Sequence, residues 1–188
     1  MGPLTITLII IAAIAVLFIL WAIAKRNSFI AMVNNVDEGF ATIDVYLKKR
    51  YDLIPNLLET VKGYMKHEKG TFESVVKARS MAMNATPENK AEAENMLSGT
   101  LKTLFALAEN YPELKANTQF TGLQSELKAI ETELSQARKY YNAVVKNYNT
   151  KIQLFPDNII ANMMKLKKRP YFELDSDEER KNVKISFD

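Results

Sequence analysis

The chain has 188 residues, with 25 Lys and Arg against 22 Asp and Glu, no cysteine and one histidine, His67. Disulfides, thiolate chemistry and zinc sites built from several Cys or His ligands are therefore excluded. Two of the cations, Lys25 and Arg26, border the most apolar stretch, and the remainder is close to neutral. That balance lacks the basic face a nucleic-acid binder turns toward phosphates, so no nucleic-acid partner is expected.

Leu4 to Ala24 is uncharged over 21 residues, enough at about 1.5 Å per residue to cross a hydrocarbon core of roughly 30 Å. Trp21, Lys25 and Arg26 follow as an amphipathic ring and two snorkelling cations, the pattern of a membrane interface. Ala22-Ile23-Ala24 has the small-x-small form of a signal cleavage site. However, the segment has no basic start, and its apolar run exceeds the roughly 7–15 residues of a signal peptide, so a retained anchor is predicted. Ile6 stands where myristoylation wants Ser or Thr. Lys25 and Arg26, then Lys48, Lys49 and Arg50, follow the span and no cation precedes it. The positive-inside rule thus predicts a single-pass cell-membrane protein with a short N-terminus outside and its domain in the cytoplasm.

Beyond the span the apolar residues repeat with helical period, and no alternating strand pattern occurs. Phe29, Val33, Val36, Phe40, Ile43 and Leu47 form one stripe, continuous in register with the span, so that one rod of about 45 residues is predicted. A second helix is predicted from Pro55, with Asp52 as a possible cap and Ile54, Leu58, Val61, Met65, Phe72, Val75 and Ala82 as its stripe. Glu68 and Arg79 fall in register with that stripe. Thr86-Pro87-Glu88 predicts the cap and first turn of a third helix carrying Leu97, Leu101, Leu104, Ala108 and Tyr111. The fourth is the most regular, through Phe120, Leu123, Leu127, Ile130, Leu134, Ala137, Tyr141, Val144, Tyr148, Ile152 and Phe155, and Pro156 ends it. A short helix over Asn158 to Met164 and a charged tail follow. The expected architecture is all-α: an elongated antiparallel bundle of about four long helices on an N-terminal transmembrane helix. The predicted divisions are an anchor at 1–26, a helical bundle at 27–164 and a charged C-terminal tail at 165–188.

His67-Glu68 invites a metal reading, but His-Glu-x-x-His fails at Thr71 and Glu-x-x-His fails at Tyr64. Glu92 with Glu94 and Glu131 with Glu133 point to different helix faces at two-residue spacing, and are read as solvated surface charges. No Gly-x-Gly is present, so no phosphate loop is expected. No catalytic residue, metal ligand or cofactor is predicted. Lys48, Lys49, Arg50, Asp52 and Asn56, concentrated around the expected break at Pro55, form the candidate interaction surface. Tyr141, Asn142, Tyr148 and Asn149 form a possible polar patch, read mainly as buried rings whose hydroxyls find partners and amides that fix register.

Several strings carry a family signature: Val36-Asp-Glu38, Ile43-Asp-Val45, Leu47-Lys-Lys-Arg-Tyr-Asp-Leu-Ile-Pro-Asn-Leu57, Val61-Lys-Gly-Tyr64 and His67-Glu68. Further along stand Tyr111-Pro-Glu-Leu-Lys-Ala-Asn117, Ala137-Arg-Lys-Tyr-Tyr-Asn142, Tyr148-Asn149, Phe155-Pro156 and Pro170-Tyr-Phe172. Together they resemble the LemA family over nearly the whole region after the span. Gly39-Phe40 departs from it, standing where the family more often shows Ala followed by Trp. The resemblance implies a bacterial single-span membrane protein with an all-helical domain, and it supplies no catalytic residues.

The expected function is a membrane-anchored, non-enzymatic scaffold or interaction protein of the bacterial envelope, bound to the lipid bilayer through Leu4 to Ala24 and to other membrane proteins. A metal-dependent hydrolase around His67 and Glu68, or a signal transmitter acting through the stalk, are the alternatives. A parallel homo-oligomer is also expected, because Thr5, Ala12, Ala15 and Ala22 let stalks approach in a coiled-coil-like crossing. A bare Phe29 to Leu47 seam would add to it. Coverage of that seam by the chain's own fourth helix would remove this second contribution.

Overall fold

The computed structural model describes residues 2–172. It consists of α1 (Pro3–Lys62), α2 (Lys69–Asn84), α3 (Lys90–Ala108), α4 (Pro112–Lys115), α5 (Thr118–Lys151) and α6 (Asp157–Met163). No strand occurs among the described residues. The expected acidic half of the tail, Glu173, Asp175, Asp177, Glu178 and Glu179, lies outside the described residues.

The main correction concerns Pro55, which starts no helix, because α1 runs through it for 60 residues. A proline inside a helix has no N–H for the carbonyl four residues earlier, which here belongs to Tyr51. Arg79 supplies the missing donor: its Nε bonds the Tyr51 carbonyl oxygen at 2.8 Å. The carbonyl is satisfied and the helix continues to Lys62. Asp52 is therefore an exposed mid-helix residue and caps nothing.

The chain divides into two compact units. The first comprises 1–43 and 137–171, and the second 44–136 with Phe172. In the first unit Phe29, Val36 and Ile43 of α1 are buried, as are Tyr141, Val145 and Tyr148 of α5. The ring of Phe40 meets Tyr141 edge-on at 5.7 Å. This part of the α1 seam is thus buried within the chain's own unit, which withdraws it as a bare surface for a second copy. Val145 takes the buried position expected for Val144. Phe155, expected on the same stripe, is instead 81% exposed, because α5 ends at Lys151 and the register ends with it.

A Cβ placed on Gly39 would lie 3.5 Å from Tyr140 and Tyr141, an ordinary contact distance. Gly39 costs helix stability without being needed for close approach. Gly39→Ala is expected to raise the unfolding free energy by about 0.5–1 kcal/mol, read from denaturant midpoints; a lower midpoint would show that the helix pair cannot accept the methyl.

In the second unit α2 and α3 pack as a hairpin, burying Phe72, Val75, Ala78 and Ala82 with Ala93, Leu97, Leu101 and Leu104. Each large aliphatic residue so buried contributes about 1.5–3 kcal/mol relative to exposure. α3 starts later than Thr86-Pro87 implies. Asn89 N–H bonds the Thr86 carbonyl in a turn, and the helix begins at Lys90 with no side-chain cap. Tyr111 lies beyond α3, at the start of α4. Asn117 Nδ2 donates to Tyr64 Oη at 3.0 Å, and Arg50 lies 3.3 Å from Glu131, so this part of α1 runs antiparallel to α5.

Candidate functional site

The second unit is organised around a buried polar centre. Arg50 follows Leu47 by three residues and precedes Ile54 by four, so the α1 stripe carries its guanidinium into the core, where Arg50 is 5% exposed. Glu94 precedes Leu97 by three on α3 and is 0% exposed. Its carboxylate lies 3.2 Å from Arg50 Nη1 and accepts a short hydrogen bond from the Tyr51 hydroxyl. Arg50 Nη2 donates to Ser98 Oγ at 2.9 Å, and half-exposed Glu131 of α5 closes the rim. A buried charge is tolerated when paired and hydrogen-bonded, as Arg50 is with Glu94, Ser98 and Glu131.

Two expectations are corrected here. Glu94 is no surface charge, and Glu131 is the rim partner of Arg50. Nor do Lys48, Lys49, Arg50, Asp52 and Asn56 form one surface. Arg50 points inward, whereas the other four are exposed. Lys49 Nζ rests 5.4 Å from the Tyr46 ring centre, and Asn56 borders a small polar hollow with Glu59, Thr60 and Gln119.

Beside the polar centre opens a groove of about 480 Å³ with Leu101, Phe105 and Leu127 in its wall. Arg50, Lys102 and Lys128 give it a cationic side, with Ser98, Gln124 and Glu131 between them. Such a surface suits an amphipathic segment with acidic groups. Nothing in the composition pointed to this groove, whose walls come from three separate helices.

His67 is exposed, and neighbouring Glu68 accepts from the Tyr111 hydroxyl at 3.3 Å. No three His, Asp or Glu side chains converge among the described residues.

In the first unit the tyrosine and asparagine patch holds the segment after α6. Tyr141 Oη donates to the Pro170 carbonyl at 3.0 Å and Tyr148 Oη to the Lys167 carbonyl at 2.9 Å. Asn149 grips both backbone groups of Arg169, donating to its carbonyl at 2.8 Å and accepting its N–H at 2.9 Å. Arg169 itself pairs with Asp37 of α1 at 3.4 Å. Both hydroxyls are thus hydrogen-bonded to backbone carbonyls, and Asn149 secures a returning strap. Asn142 is half-buried beside it.

Lys25 also departs from expectation. Its ammonium is drawn to Asp157 at 2.6 Å, with Lys151 at 3.9 Å from the same carboxylate, so α6 is tied to α1 just after the apolar segment. Arg26 remains exposed and Trp21 half-exposed, its ring tilted against that of Phe18 with centroids 5.6 Å apart.

Burial pushes the phenol of Tyr51 well above its ordinary range, reinforced by its bond to Glu94. Burial likewise raises Tyr141 and Tyr148, although Arg169 opposes it. These phenols stay protonated in the fold at pH values where the unfolded chain ionises, near 10. Their contribution is complete below pH about 10 and is lost as the pH rises further through the folded values. Unfolding midpoints are expected to be flat through neutral pH and to fall above about pH 10, with a shallower fall in Tyr51→Phe; an equal fall in that variant would remove Tyr51 from the account.

The family model of LemA matches residues 39–187. The chain belongs to the LemA family. A LemA protein of Metamycoplasma hominis is 24% identical over 169 residues, covering 87% of this chain and 75% of that protein. Magnetosome protein MamQ 2 of Paramagnetospirillum magneticum is 22% identical, covering 92% of the chain and 73% of the relative. MamQ of Magnetospirillum gryphiswaldense is 21% identical with 91% and 73% coverage. None of these names denotes a reaction. The LemA match includes α2 to α6 and α1 from Gly39 onward, so the polar centre and the strap both fall within it. Ahead of the match lies the apolar part of α1, whose most apolar window has mean hydropathy 3.1 and is 0% buried. It is long and apolar enough to cross a membrane.

Proposed function

We propose that this LemA-family chain is a membrane-anchored, non-enzymatic scaffold of the bacterial envelope, with its helical domain in the cytoplasm, presenting surfaces to other membrane proteins. The observation that carries the reading is α1 itself. The same uninterrupted helix supplies the apolar segment and then the buried Leu47, Arg50, Ile54 and Leu57 of the second unit. Whatever the domain binds is thereby held at the bilayer. The conspicuous polar groups support a binding role, because Arg50, Glu94, Tyr51 and Arg79 are engaged in holding helices together. The exposed cations Lys48 and Lys49, and the groove beside Arg50, are surfaces open to a partner. Self-association belongs to the same proposal and now rests on the apolar segment alone, with Thr5, Ala12, Ala15 and Ala22 along one side.

The test uses the full-length protein crosslinked in its own membranes. Lys48→Glu with Lys49→Glu is expected to leave stability within about 0.5 kcal/mol, as exposed substitutions do, while removing the crosslinked partner. Unchanged capture would contradict Lys48 and Lys49 as the docking surface. Mass photometry of the full-length protein in mild detergent is expected to show an oligomer; a monomer would refute self-association.

A further inference from the structure

We propose that α6 and the turn before it form a second, interfacial membrane contact, a foot that enters the lipid surface beside the α1 anchor and meets anionic headgroups. This inference rests on the reading of α1 as a membrane anchor. Asp157, Ile160 and Ala161 face inward, with Lys25 fixing Asp157. The outward face carries large apolar side chains beside exposed Gln153 and Asn162: Phe155 is 81% and Met163 75% exposed, with Leu154 and Ile159 also exposed. In an aqueous domain that face would be unfavourable, and a contiguous exposed apolar patch marks an interaction site.

Depth identifies the occupant. Phe18, Ile19, Ala22 and Ile23 of α1 form one wall of an apolar cleft of about 350 Å³, and Ile160, Met163 and Met164 form the other. The uncharged segment has 21 residues, about as many as the hydrocarbon core requires, so it has no apolar length to spare. Phe18 lies six residues before its end, about 9 Å along the helix. A wall packed opposite Phe18 to Ile23 must therefore lie at the depth where interfacial helices rest, roughly 5–10 Å into the boundary of headgroups and acyl chains. Arg26 stands at the same cleft.

Charge complements this placement. Between Lys151 and Tyr171 the cations are Lys151, Lys165, Lys167, Lys168 and Arg169, and the sole acid, Asp157, is consumed by Lys25 and Lys151. Lys165, Lys167 and Lys168 are exposed on the strap that follows α6. Basic groups beside a membrane anchor attract anionic lipid. The bonds of Tyr148 and Asn149 hold the backbone of Lys167 and Arg169 against α5, within six residues of the end of α6 at Met163.

The chain has no cysteine, so single labels can be placed in the full-length protein. Phe155→Cys and Met163→Cys, each carrying an environment-sensitive fluorophore, are read in nanodiscs of phosphatidylethanolamine and phosphatidylglycerol doped with shallow spin-labelled lipid. Val45→Cys serves as the distant control, and Trp21, the sole tryptophan, reports the anchor. Quenching several-fold stronger at 155 and 163 than at 45 is expected. Lys165→Glu with Lys167→Glu and Lys168→Glu is expected to reduce it in these discs and not in phosphatidylcholine. Unquenched labels beside a quenched Trp21 overturn the foot and leave the anchor intact; an unquenched Trp21 overturns both. Label-to-label coupling without lipid quenching overturns the foot in favour of a second copy. Quenching unaffected by the three reversals overturns the anionic contact.

Discussion

Replacing Arg50 with Ala lowers the unfolding free energy by about 3–5 kcal/mol. Glu94 is 0% exposed, and the substitution takes the Arg50 guanidinium from its carboxylate while leaving the bond from the Tyr51 hydroxyl. The cost is that of a buried carboxylate that has lost its Arg50 partner, and it falls on the second unit, where α1, α3 and α5 converge. Lys48→Ala, two residues earlier on the exposed face, is expected to change stability by less than about 0.5 kcal/mol. Arg50→Met combined with Glu94→Leu removes both charges, so its loss should be smaller than the sum of the two single losses. Denaturant unfolding of the parent protein, Arg50→Ala, Lys48→Ala, Arg50→Met, Glu94→Leu and the double variant checks this. An Arg50→Ala loss no larger than that of Lys48→Ala would mean that the polar centre does not hold the helices together.

Asn149→Ala detaches the strap. One side chain satisfies both backbone groups of Arg169. Two hydrogen bonds at about 1 kcal/mol each give an expected local loss of about 2 kcal/mol, or roughly 30-fold faster amide exchange at Arg169. Tyr148→Phe removes one bond at Lys167 and is expected to give a smaller effect nearby. Hydrogen exchange resolved over 165–171 makes the measurement. Unaltered exchange at Arg169 in Asn149→Ala would show that the strap is secured elsewhere, for instance through its pair with Asp37.

The helical class and the apolar segment are legible because the period of the stripes is uninterrupted, and physical chemistry leaves such stripes few alternatives. The LemA strings were equally legible. Pro55 shows how a local rule can mislead. Proline does end helices, yet Ile43, Leu47, Ile54, Leu58 and Val61 keep their register straight through it. That continuity outweighed the missing N–H once Arg79 supplied a donor from α2, twenty-eight residues from Tyr51. Arg79 had been conspicuous as a charge in an apolar stripe, and this bond explains it.

The polar centre had a comparable signal. Arg50 extends the spacing of Ile43 and Leu47, and Glu94 that of Leu97, Leu101 and Leu104, so each occupies a core position. Two opposite charges at core positions on separate helices are candidates for a buried pair. What the sequence did not carry was which helices meet, and without that neither the pair nor the groove beside it could be assembled. The partners of Tyr141, Tyr148 and Asn149 were hidden for the same reason, since the strap returns from nineteen to twenty-nine residues downstream.

The central claim is a cytoplasmic domain anchored by the apolar part of α1, and side-specific labelling tests it most directly. In the cysteine-free chain, Gly2→Cys and Lys48→Cys place single thiols before the apolar segment and on the exposed face of α1 beyond it. With a membrane-impermeant maleimide, Gly2→Cys should label in intact cells, and Lys48→Cys only after the membrane is opened. Labelling of Lys48→Cys in intact cells, or equal protection of both thiols, would contradict the account.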